Sequence, residues 1–179
     1  MSQHPPHHGR GGDPVGEHRA AGRRAARCLV VTVSDTRTLE NDASGATAVE
    51  CLEAAGHQIE RREIIRDERA GIIALLRGAI EMPEIDAVVL TGGTGIAPRD
   101  VTYEAVCEVL EKKLDGFGEF FRALSFEEIG AAAMLSRAVG GITQTTAIFA
   151  LPGSTKAVRL GIDRLIGVEL GHILGLIEP

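Results

Sequence analysis

The segment Thr91-Gly92-Gly93-Thr94-Gly95-Ile96-Ala97-Pro98-Arg99-Asp100-Val101-Thr102 follows an apolar run and leads into a helical pattern. Its glycines let backbone amides approach an anion closely, and the helix that follows would add its N-terminal dipole. The segment has neither the Lys-Ser/Thr pair of a Walker loop nor the spacing of a GxGxxG fingerprint. A tight strand-to-helix turn has the same composition, so the loop taken alone leaves a turn and an anion site both open.

Two carboxylates stand near this loop. Asp100 follows Arg99 within it, and Asp67 lies where the second strand region ends. Taken singly, Asp67 reads as a helix N-cap and Asp100 as half of a local ion pair. Taken together beside a phosphate site they would repel the anion unless a hard cation stood between them, which is the arrangement Mg²⁺ favours. Ser34-Asp35-Thr36-Arg37, Ser136-Arg137 and Leu151-Pro152-Gly153-Ser154-Thr155-Lys156 supply further candidates. Ser34, Asp35 and Ser154 suit turns and caps as well as ligand contact. Arg37, Arg99, Arg137 and Lys156 would form the local positive cluster that a polyanionic ligand needs on an acidic body.

The elements that must position these residues alternate between strand and helix. Leu29 to Val33 is a β-branched run, and 42 to 55 places Ala48, Cys51, Leu52 and Ala55 on one helical face before Gly56. A second strand is expected over 57 to 65, then a helix with Ile72, Ile73, Leu76 and Ile80 as its stripe. Ile85 to Leu90 is apolar on both faces, as in a covered central strand. After the glycine loop come a helix near 104 to 113, a mixed segment to Leu135, and two short strands flanking Gln144. A last helix carries Val158, Ile162, Leu165, Ile166 and Ile173 at helical spacing. This order predicts a three-layer αβα sandwich with a mostly parallel central sheet. Ligands of such sheets bind beyond the carboxyl ends of the strands, where the loops after Val33, Ile65, Leu90 and Leu151 should converge.

Composition narrows the classes. With 179 residues and 44% hydrophobic content the chain suits one domain with a full core. Residues 1 to 27 combine Gly, Pro, His and five arginines without hydrophobic periodicity and read as a disordered tail, leaving 28 to 179 as the domain. An acidic chain at net charge −6 with 3% aromatics and no Trp lacks the basic field and stacking surfaces of a nucleic-acid binder. No apolar run is long enough for a membrane span or signal peptide, so a cytoplasmic protein is expected. Cys28, Cys51 and Cys107 show no CxxC spacing and read as reduced thiols.

TGGTGIAPRDVTYEAV resembles the signature loop of the MogA/MoaB family of molybdenum-cofactor biosynthesis proteins, and VSDTRT, IIRDE, GFGEFFR, MLSRA and LPGSTKAV join it in order from Leu29 to Leu176. The resemblance implies an αβα domain that forms a homotrimer or a hexamer and binds the pterin beside an adenylate. Asp67 and Asp100 match the family's two essential aspartates. Gly92, Gly93, Thr94, Gly95, Ser136, Pro152, Gly153 and Ser154 match its ligand loops, and Thr145 stands where some relatives have a serine. Tyr103 replaces the proline common in the TPEA form of the motif, a preference at a first helical turn and not a requirement.

The activity so implied is Mg²⁺-dependent transfer of AMP from ATP to the phosphate of molybdopterin, with hand-off to a MoeA-like molybdate-inserting protein. Two other readings stay open at this point. One is a non-catalytic pterin or nucleotide carrier on the same fold. The other is a scaffolding oligomer whose Gly116 to Arg122 segment makes subunit contacts through Phe117, Phe120 and Phe121.

Overall fold

The computed structural model describes residues 24–178. In chain order the elements are β1 (Arg27–Val33), α1 (Ala43–Ala54), β2 (Gln58–Ile65), α2 (Arg69–Ile80), β3 (Ala87–Thr91), α3 (Thr102–Val109), β4 (Lys112–Lys113) and α4 (Asp115–Ile129). A 3₁₀ segment (Gly130–Leu135), β5 (Val139–Thr143), β6 (Thr146–Leu151) and α5 (Thr155–Gly161) follow, and a π segment (Ile162–Ile166) joins α5 to α6 (Gly167–Ile177).

The sheet has six strands in the order β2-β1-β3-β6-β5-β4. β2, β1, β3 and β6 run parallel, while β5 and β4 are antiparallel to their inner neighbours. Period-2 alternation sends Val30, Val89 and Phe149 to one face, against Leu52, Phe121 and Val158. Val31, Leu90 and Ile148 go to the other face, against Ile72, Leu76 and Val106. Helices on both faces make the expected three-layer sandwich. They also explain why Leu29 to Val31 of β1 and Ala87 to Leu90 of β3 are continuous apolar runs, since neither face meets water there.

One buried node ties the first crossover together. Asp42 caps α1 by accepting from the Gly45 N–H at 2.9 Å, and it also accepts from Thr32 Oγ1 at 2.6 Å, Ser44 Oγ at 3.0 Å and Arg62 Nη2 at 2.8 Å. Burial would push this carboxyl up, but the Arg62 guanidinium, the hydroxyls and the amide together hold it below the ordinary carboxylate value. The β1–α1 connection is thereby fixed to β2.

Several boundaries differ from the sequence reading. β1 begins at Arg27, Ala26 is fully buried with its N–H on His57 Nδ1, and the Arg27 N–H donates to Asp86 at 2.8 Å. The domain therefore starts before residue 28, because the sheet recruits these residues through long-range pairing. Residues 1–23 of the expected tail lie outside the described residues. Helix α3 stops at Val109 where a longer helix was expected, and Lys112–Lys113 pairs with β5 as a short charged edge. Ala55 is exposed beyond the end of α1. Cys28 and Cys51 are buried and Cys107 partly so, all three free; burial pushes the Cys28 thiol up to about 12 and the Cys51 thiol up to about 11.

Candidate functional site

The carboxyl ends of β1, β2, β3 and β6 meet at one edge, and the glycine loop after β3 lies at its centre. Gly92 and Gly93 both adopt left-handed backbone, at φ +98° and +62°. A Cβ on Gly92 would stand 2.4 Å from the Val33 carbonyl, so only glycine lets the loop cross the end of β1. The Gly92 N–H donates to Leu151 O at 3.1 Å, Thr91 Oγ1 donates to Pro152 O at 3.3 Å, and a Cβ on Gly153 would lie 3.2 Å from the Gly92 Cα. The loops after β3 and β6 are thus packed backbone to backbone.

Together they floor a cleft of about 400 Å³ bounded by Gly92 to Gly95, Asp100, Ser136 and Pro152 to Ser154. Phe121, Ile129 and Leu135 give it one apolar wall. Ser136 Oγ is buried there without a hydrogen-bond partner. A floor of glycine amides, a free hydroxyl and an apolar wall suit a flat ring system that carries a phosphate.

Asp67 does not line that cleft. Both its carboxylate oxygens lie 2.8 Å from where a Gly93 Cβ would stand, so the absence of a side chain at residue 93 is what accommodates them. The expectation that Asp67 caps α2 is corrected: Glu68 occupies the N-cap position, and Asp67 Oδ1 instead accepts from the Val101 N–H at 3.3 Å. Burial raises the Asp67 pKa above the ordinary carboxyl value. The Val101 amide and Arg99 partly oppose this, and repulsion from Asp100 and Asp35 adds to it. Asp100 is no ion-pair partner of Arg99; its Oδ2 accepts from the Ala97 N–H at 3.0 Å and folds the loop tip.

The remaining candidates divide. Ser34 Oγ is taken by the Thr36 and Arg37 amides at 3.3 and 3.2 Å, so Ser34 serves as a turn residue. Asp35 Oδ1 accepts from the Asp67 N–H at 3.3 Å, which tethers the β1 loop to the β2 loop. Ser154 caps α5 through the Ala157 N–H at 3.2 Å while its residue edges the cleft. Arg37 donates to Asn41 O at 2.9 Å. Arg99 and Lys156 are exposed cations near the loops.

Arg137, expected to hold ligand, is spent on the protein. It donates to Thr94 O at 3.2 Å and Asp100 O at 3.0 Å, pairs with Glu104, and lies 5.1 Å from the Tyr103 ring centroid. Thr145 is not at this edge at all. It sits in the β5–β6 turn, roughly 20 Å along the chain from Leu151, and lines a different cleft with Arg27 and Asp86. The hairpin reverses the chain, so β6 carries Leu151 to the site and leaves Thr145 at the opposite end. Sequence reasoning passed over Thr102 and Glu104, although both lie within or next to the signature loop.

Among the described residues no group of three or more His, Cys, Asp or Glu is arranged to hold a metal ion by itself. Asp67 and Asp100 lie near enough for Asp100 to repel the Asp67 charge, and two carboxylates would leave the remaining positions of a Mg²⁺ ion to phosphate oxygens and water. No helix among the described residues is long and apolar enough to cross a membrane.

Residues 29–172 match the family model described as "Probable molybdopterin binding domain". Molybdenum cofactor biosynthesis protein B of Halalkalibacterium halodurans is 51% identical over 161 residues, covering 89% of this chain and 95% of that protein. A solved structure of a molybdenum cofactor biosynthesis protein B superposes with a TM-score of 0.84 at 46% identity, over 86% of this chain and 96% of that one. The tungsten cofactor synthesizing protein MoaB of Pyrococcus furiosus gives a TM-score of 0.77 at 35% identity, over 87% of this chain and 99% of its own. The chain therefore belongs to the MogA/MoaB family of molybdenum-cofactor biosynthesis proteins.

Proposed function

We propose that this protein acts in molybdenum cofactor biosynthesis as a molybdopterin adenylyltransferase, joining AMP from ATP to the terminal phosphate of molybdopterin. The observation that carries the reading is the pair of aspartates about the glycine loop: Asp100 lines the cleft, and Asp67 lies against Gly93, desolvated and repelled by Asp100 and Asp35. A pure carrier has no use for carboxylates beside a phosphate site, whereas a transferase that brings two phosphate chains together needs a cation there.

In this reading the amides of Gly93 to Gly95 cradle phosphate, Ser136 Oγ supplies the hydrogen bond it otherwise lacks, and Phe121, Ile129 and Leu135 shield the ring. Arg99 and Lys156 meet the outer phosphates. A molybdopterin phosphate oxygen attacks the α-phosphorus of ATP in line; that P–O bond forms as the bond from the α-phosphorus to its β-bridging oxygen breaks, and pyrophosphate leaves with the electron pair. Asp67 and Asp100 would hold Mg²⁺, which would supply charge neutralisation for the crowded phosphates. No protein nucleophile takes part, in keeping with thiols that burial holds protonated at Cys28 and Cys51.

The scaffold reading has less support. Phe117 and Phe121 of the Gly116 to Arg122 segment are buried in the core, leaving Phe120 as its exposed aromatic. Incubating the purified protein with molybdopterin, ATP and Mg²⁺ tests the proposal by mass-spectrometric detection of adenylylated pterin and pyrophosphate. Tight pterin binding with no such product would convert the reading to that of a carrier.

A further inference from the structure

Thr102 is fully buried in the first turn of α3, and its Oγ1 has no hydrogen-bond partner. A helical threonine ordinarily returns its hydroxyl to a carbonyl one turn back, and leaving a buried hydroxyl unpaired costs about 1–3 kcal/mol. The main chain here is already fixed, since the Thr102 N–H donates to Gly93 O at 2.9 Å. Oγ1 lies 2.2 Å, and each Asp67 carboxylate oxygen 2.8 Å, from the point where a Gly93 Cβ would stand. Three oxygens from two separate loops therefore converge on the bare face of one glycine.

The chemistry of those oxygens restricts what can join them. A carboxylate only accepts, and a hydroxyl offers two lone pairs and one proton. A phosphate oxygen brought to this face alone would meet the Asp67 charge, and an apolar group would leave the hydroxyl unpaired. A hard cation satisfies the carboxylate and the hydroxyl lone pair together, and the hydroxyl proton is then free to go to a phosphate oxygen. Resting on the reading above that a divalent cation accompanies the nucleotide, we propose that Thr102 Oγ1 is a further oxygen ligand of that cation, contributed beside Asp67 across Gly93. A side-chain hydroxyl beside a carboxylate on Mg²⁺ is a pairing that phosphoryl-transfer sites on unrelated folds also use.

The test titrates Mn²⁺ into the full chain in the presence of a saturating ATP analogue with a methylene between its α- and β-phosphorus, read by electron paramagnetic resonance. Thr102→Val should weaken Mn²⁺ by about 10-fold and Thr102→Ser should regain most of it. Nucleotide affinity without metal should be unchanged. The metal-free melting temperature of Thr102→Val should match or exceed the parent's, because an unpaired hydroxyl has been removed; should valine prevent folding, Thr102→Ala carries the same forecast for Mn²⁺. Parent-like Mn²⁺ affinity in the folded Thr102 variants, with loss in Asp67→Asn, would overturn the assignment of Thr102 and leave the cation reading standing. An absence of Mn²⁺ binding in the parent would overturn both.

Discussion

The guanidinium of Arg137 donates to the backbone carbonyl of Asp100 at 3.0 Å, so a residue two positions before β5 sets the path of the loop that carries a candidate metal ligand. Three further contacts, to Thr94 O, Glu104 and the Tyr103 ring, use the planar fork that lysine lacks. Arg137→Lys should lower AMP transfer at least about 10-fold while costing only about 1–2 kcal/mol in stability, since the Glu104 pair is partly solvated. Urea melts alongside single-turnover rates check this, and equal proportional losses in both would mark Arg137 as a general brace.

Asp67→Asn and Asp100→Asn should each keep the fold and pterin binding and lose AMP transfer by about 100-fold or more. The amide can still accept from the Val101 or Ala97 N–H, so the shape survives and the charge does not. Near-normal turnover in both variants would falsify the two-aspartate site.

The raised pKa of Asp67 has a consequence for the metal-free protein. Its contribution is stabilising below the ordinary carboxyl value of about 3.9 and is lost as pH rises through the higher folded value. At neutral pH without metal, Asp67→Asn should therefore melt at or above the parent temperature. A lower temperature would show that the ionised carboxylate supports the fold.

Asp42 forecasts the reverse. Its folded pKa is lowered, so its stabilisation is present above about pH 3.9 and is lost as pH falls through the folded value. Asp42→Ala should cost about 3 kcal/mol at pH 7, because Arg62, Thr32 and the α1 amide all lose their acceptor. Denaturant midpoints at pH 7 and pH 3 should show the parent and variant converging in acid.

Adjacent glycines should separate folding from function. In Gly92→Ala the new Cβ meets the Val33 carbonyl, backbone that cannot move aside, so expression and stability should suffer first. In Gly93→Ala it meets Thr102 Oγ1 and the Asp67 carboxylate, at a strain cost of about 1–3 kcal/mol. Metal and nucleotide binding should then fall further than stability. Calorimetric titration with melts on both variants distinguishes the two patterns.

What could be read from sequence was what is local. The apolar run through Val88 to Leu90 and the stripe of Ile72 and Leu76 are imposed by burial at fixed spacing, and each folds as expected. The cap reading of Asp67 fails because its partner amide, Val101, lies 34 positions downstream and is brought near only by the crossover through α2. Arg137 looked like a free cation for the same reason, its acceptors being 33 to 43 residues away. Thr145 was placed by motif order alone; the turn at Gln144, with φ +52°, already separated it from the strand end that reaches the site. Thr102 lies within the signature loop, but its orphaned hydroxyl becomes visible only once the surrounding packing is known.

Because Gly153 rests against the Gly92 backbone, the loops after β3 and β6 share one rigid seat. The ordering entropy of that seat is met when the chain folds, so it need not be met again at each encounter with substrate. Association with the pterin should accordingly proceed in a single kinetic phase, linear in concentration, without a slower closing step behind it.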